Sequence, residues 1–66
     1  MLKSIINSAI EAFNSNKLPL SVKSDNPDVD VRKYSKALRK EARSSEIGTL
    51  TERGRGLIWF YRRKHI

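Results

Sequence analysis

The chain has no cysteine among its 66 residues. Disulfides and thiol chemistry are therefore excluded, and the absence fits a reducing compartment. One histidine, His65, is too few for a structural zinc site. A Ser-His-Asp arrangement would depend on that one imidazole at residue 65, where chain ends fray. Glycine is scarce, with three in the chain. Gly54 and Gly56 form a G-x-G, but no third glycine follows, and they lie between two expected strands. That context fails both the dinucleotide and the P-loop patterns. Asp25, Asp28 and Asp30 cluster, yet an EF-hand register would put Val31 where glycine is required and Ala37 where a bidentate glutamate is required. Helix capping accounts for these acids better. No apolar run approaches the ~18 residues a membrane span needs, and no signal-peptide core with a cleavage site is visible. A cytoplasmic setting is expected, nucleoid-associated if the partner is DNA. No catalytic residue, cofactor or metal is expected, so the protein is read as non-enzymatic.

Acidic residues are also few: seven, against fourteen lysines and arginines. The imbalance is local. Residues 1–30 hold three cations and four acids, whereas residues 31–66 hold eleven cations and three acids. A one-sided surplus of this kind points to a surface that meets a polyanion, most often nucleic acid. The chain length allows one domain, 1–66. Such a chain buries only ~60% of the surface its unfolded form exposes, so a compact core or self-association has to support it.

Four segments carry the periodicities of regular structure. Residues 2–15 place Leu2, Ile5, Ile6, Ala9, Ile10 and Phe13 within an arc about 140° wide, an amphipathic helix ended by Asn14-Ser15-Asn16. Residues 18–23 read as a short edge strand, because Leu18, Leu20 and Val22 alternate and Pro19 forbids a helix interior. Ser24-Asp25-Asn26-Pro27 is a turn. Residues 28–44 read as a second helix, with Asn26 as N-cap, Pro27 at N1 and two aspartates near the positive end of the dipole. Val31, Tyr34, Leu38 and Ala42 form its apolar seam. Arg32, Lys33, Lys36, Arg39, Lys40 and Arg43 fill a continuous face beside that seam. Residues 47–52 and 57–61 read as a β-hairpin closed by Arg53-Gly54-Arg55-Gly56, where glycine supplies positive φ. Arg62, Arg63, Lys64 and His65 follow.

The expected fold is thus α+β: helix, short strand, helix, C-terminal β-hairpin, with strand 18–23 completing a three-stranded sheet. A helix followed by a basic hairpin resembles the winged helix, in outline only. A winged-helix domain has a further helix before its recognition helix, and residues 18–27 leave little room for one. The resemblance implies duplex DNA contacted by a helix and a hairpin tip.

The expected contact residues are Arg32, Lys33, Lys36, Arg39, Lys40 and Arg43 on the helix, Arg53 and Arg55 on a projecting tip, and Arg62, Arg63 and Lys64 on the tail. A basic helix suits the major groove, and arginines on a tip suit a minor groove or the backbone. Ser35 lies near the apolar seam, Thr49 and Thr51 flank the basic surface, and all three could donate to phosphates. The expected function is a small DNA-binding regulator of transcription or an architectural protein, with DNA favoured over RNA. Small proteins of this kind are common in viruses and mobile elements. The alternative is a compact interaction module or inhibitor that docks on an acidic protein. In strand 57–61, Leu57, Trp59 and Tyr61 point one way and Ile58 and Phe60 the other. One set packs on the helices. The second is then available for a homodimer through strand 57–61, or for stacking on single-stranded bases.

Overall fold

A computed structural model describes residues 1–64. His65, part of the expected basic tail, lies outside the described residues. In chain order the elements are α1 (Leu2–Asn14), β1 (Leu20–Lys23), α2 (Pro27–Lys40), β2 (Ile47–Glu52), a 3-10 turn (Arg53–Arg55) and β3 (Leu57–Arg62). The three strands form one antiparallel sheet in the order β1-β3-β2. Fold class and element order are those the periodicities predict.

Both helices pack on one face of the sheet. Ile6 and Ala9 from α1, Tyr34 and Leu38 from α2, and Ile47, Ile58 and Phe60 from the sheet form one buried cluster. The Tyr34 and Phe60 rings meet at 5.7 Å between centroids. Burial raises the Tyr34 phenol above its ordinary pKa, and the negative charge of Asp30 adds to the rise. The Leu18–Pro19 peptide that leads into β1 is cis.

Both helices end in the same motif. Asn16 is left-handed, with φ 57°. The amide of Lys17 reaches the Ala12 carbonyl at 2.7 Å, and that of Asn16 reaches Phe13 at 3.2 Å. This is a Schellman cap. At α2, Ala42 takes φ 58°. The Arg43 amide reaches the Leu38 carbonyl at 2.8 Å, and the Ala42 amide reaches Arg39 at 3.1 Å. The expected extension of this helix to residue 44 is therefore corrected. The helix stops at Lys40, and the chain reverses through an alanine at a position that ordinarily takes glycine. Ala42 leaves the apolar seam and is exposed, and Arg43 leaves the helix altogether.

At the start of α2 the capping differs in detail from expectation. Asn26 occupies the N-cap position, but its side chain makes no cap hydrogen bond. Ser24 Oγ instead accepts the Asn26 amide at 3.1 Å and donates to Asp30 Oδ2 at 2.6 Å.

Strand-to-strand addition by a second copy at 57–61 has no edge to use. β3 is the central strand, hydrogen-bonded to β1 along one edge and to β2 along the other. It has no free edge for strand addition by a second copy. The unpaired sheet edges belong to β1 and β2.

Candidate nucleic-acid interface

Five of the eleven expected contact residues form one exposed strip. Arg39, Arg32, Lys36, Lys40 and Lys33 follow each other around α2 over about 120°, at 100° per residue. All five are exposed. None makes an ion pair among the described residues. Arg39 and Lys40 sit in the last turn, where the helix dipole favours cations. The acids of this helix, Asp28 and Asp30, sit in its first turn. Charge along α2 is thus graded from negative to positive.

Arg43 sits just past the helix, half-buried, with Nη1 3.1 Å from Glu46 Oε1. That carboxylate offsets its charge.

The hairpin tip does not join the strip. Arg53 Nε donates to Asp28 Oδ1 at 3.0 Å, which draws the tip onto the N-terminal end of α2. Arg55 lies 3.6 Å from Glu52. Gly56 takes φ 62° and closes the turn. The tip is therefore tied to the acidic end of the helix, where a freely projecting tip was expected. Surface pairs of this kind contribute little stability, but they occupy the arginines.

The tail lies at the other end of the hairpin. Leu57 and Arg62 are five residue steps apart along β3, about 17 Å of strand. Arg62 is engaged within the molecule. Its Nη2 donates to the Phe13 carbonyl at 2.9 Å, and its guanidinium lies 4.0 Å from the centre of the Phe13 ring. It adds a second donor to the Phe13 carbonyl, which already accepts the Asn16 amide, at the negative end of α1. Arg63 and Lys64 are exposed.

Arg63 meets the α2 strip. With Arg39, it lines a cleft of about 120 Å³ that Ser35, Ser44 and Thr49 also border. Ser35 Oγ and Thr49 Oγ1 are 2.7 Å apart. Their bond ties α2 to β2 and consumes one hydroxyl hydrogen, leaving the other free to donate. Leu38 and Ile47 complete the lining of the cleft, and two arginines with three hydroxyl residues around a space of this size suit a phosphate group. The sequence places Ser35 near the apolar seam and Thr49 beside the basic surface, without linking them. Their pairing spans 14 residues and has no local signal. Thr51 is half-buried, opposite Ile58, on the helix-facing side of the sheet.

On its other flank the strip borders an apolar groove of about 570 Å³. Leu2, Ala37 and the stems of Lys33, Lys36, Arg39 and Lys40 line it. Leu2 retains 41% of its exposure there.

Among the described residues, no cluster of three or more His, Cys, Asp or Glu side chains converges as a metal site would require. None of the described helices is long and apolar enough to cross a membrane. Comparison with protein-family models, with curated proteins and with solved structures returned no match.

Proposed function

We propose that this protein binds duplex DNA through α2, without catalysis, as a regulator or architectural protein. The observation that carries the reading is the strip of five unpaired cations that runs into the cleft of Arg39 and Arg63. Arg32, Lys33, Lys36, Arg39 and Lys40 neutralise phosphates along a groove, and counterion release supplies most of the affinity. A phosphate seated between Arg39 and Arg63 fixes the register of the helix on the backbone. Lys64 adds charge beside it. Arg43, Arg53, Arg55 and Arg62 contribute less, because each already has a partner within the molecule.

The test is a fluorescence-anisotropy titration of labelled duplex across salt concentrations. Five phosphate contacts give a log–log slope near −4.5. The Lys36→Glu/Arg39→Glu variant should keep its fold and lose measurable binding. Unchanged binding by that variant removes α2 from the interface.

One observation favours a second reading, an acidic protein partner. The groove lined by Leu2 and Ala37 offers apolar contact amid four cations, which suits an acidic peptide with an apolar anchor better than a phosphate backbone. Failure of excess duplex to displace a captured acidic partner would favour that reading.

A further inference from the structure

The sheet face turned away from the helices carries two aromatic rings held in place by devices of their own. Directly opposed residues of an antiparallel pair share a face. The register therefore puts Ser21, Lys23, Gly48, Leu50, Glu52, Leu57, Trp59 and Tyr61 on this outer side. Among the described residues no second layer covers it: Leu50 keeps 47% of its exposure, Trp59 and Tyr61 are half-buried, and Leu57 alone of the four apolar side chains is buried. The Tyr61 ring lies across Gly48: a Cβ built on that glycine would collide with ring atoms Cζ and Cε2 and with Oη. The hydroxyl end of the ring is seated against the Gly48 backbone, and Tyr61 remains half-exposed. Trp59 is fixed differently. Its Nε1–H donates to Glu52 Oε1 at 2.8 Å. The second oxygen of that carboxylate lies 3.6 Å from Arg55, which holds a guanidinium near the indole. Lys23 and Arg55 together line a polar cleft of about 480 Å³ at this end of the sheet. Arg63 and Lys64, both exposed, follow Tyr61 at the other end.

We propose that this face binds single-stranded nucleic acid, with one base stacked on Trp59 and the next on Tyr61. The two residues are two apart on one strand, about 6.7 Å. That is about twice the 3.4 Å per-nucleotide rise of a duplex strand, so the two bases are drawn apart and each meets its own ring. Lys23 takes a phosphate at one end, where Arg55 is already engaged by Glu52 and Asp25 also lines the cleft, and Arg63 and Lys64 take phosphates at the other. Rings already immobilised lose little side-chain freedom on binding, which favours stacking. A second copy of the chain suits the face less well. A standard interface needs about 800 Å² per partner, about one sixth of the 4884 Å² surface, and four apolar side chains beside Lys23 and Glu52 do not supply it. The two rings lie on the side of the sheet opposite α2; Arg63 and Lys64 are shared with the duplex surface proposed above, so stacking on the rings, not charge, distinguishes the two assignments.

Trp59 is the only tryptophan, and its emission reports on this face alone. The experiment titrates the protein with a ten-residue oligothymidylate and with an abasic oligomer of the same length. The expected result is saturable quenching by the first, none by the second, and at least tenfold weaker binding of the abasic strand. Tyr61→Leu keeps apolar cover over Gly48 and should weaken oligothymidylate binding by about 5- to 150-fold, the range for one lost stacked base. If that variant fails to fold, the comparison of the two oligomers on the unaltered protein decides. Lys36→Glu/Arg39→Glu should retain the full quench at saturation, even if it has lost duplex binding. Three results overturn the proposal: unquenched Trp59 at saturation, equal affinity for both strands, or concentration-dependent dimerisation that shields Trp59 from iodide.

Discussion

The two helices do the same structural work with opposite surfaces. α1 commits Ile6 and Ala9 to the core, and α2 commits Tyr34 and Leu38. Away from the core they part. α1 shows Lys3, Ser4, Asn7, Ser8 and Glu11, a nearly neutral face that is sufficient to keep a helix solvated. α2 shows five cations on the corresponding side. The packing of a two-residue seam does not call for that charge, as α1 demonstrates. The excess on α2 is therefore better explained by something outside the molecule than by the fold.

The equivalence of the two cores gives the largest expected effect. Ile6→Ala and Leu38→Ala should each cost about 2–5 kcal/mol, read as a fall in the urea midpoint. A loss confined to one of them would show that the helices do not share the core equally. A smaller effect separates the cations that serve α1 from those on α2. Arg62→Ala removes a charged hydrogen bond and a ring contact at the end of α1, and should cost about 1 kcal/mol. It should leave the salt slope of duplex binding nearly unchanged, whereas Lys36→Ala should reduce that slope by about 0.9. Equal slope changes would place Arg62 in the α2 interface.

The ends of the helices give a finer contrast. Asn16 is a residue that tolerates positive φ, and Ala42 is not. Ala42→Gly should stabilise the fold by about 1 kcal/mol, seen as a higher midpoint, while Asn16→Gly should change little. The smallest effect is confined to alkali. Tyr34 has a raised folded pKa, so the folded state holds its proton more tightly than the unfolded one. Its contribution is complete below the ordinary tyrosine value of about 10 and is lost as pH rises through the folded value. Tyr34→Phe should flatten that alkaline decline. A decline that persists unaltered in the variant would assign it to other groups.

What was legible in the sequence follows the range of the interactions. The 3.6-residue period of Leu2 to Phe13 and the β-branched and aromatic run Leu57–Tyr61 are local, and they gave the elements and the sidedness of β3. The early stop of α2 was hidden because Ala42 is a good helix former, and the cap that overrides it lies in the backbone. The strip Arg32 to Lys40 was legible because a helix face is set by spacing alone. The separation of the other cations was not. Arg53 is drawn to Asp28 across 25 residues and Arg62 to Phe13 across 49. Those contacts exist only once the sheet order has brought the chain together.

That order constrains how the protein comes off the ribosome. β3 is the middle strand and is synthesised after both of its neighbours. When β1 emerges it has no partner, and none is available until residues 57–62 follow. At about 5–20 residues per second, that wait lasts about 2–8 s. Until then Leu20 and Val22 have no ladder, and β2 lacks the strand against which it aligns. The nascent sheet thus stays open until β3 arrives, and its formation is set by the last of its three strands.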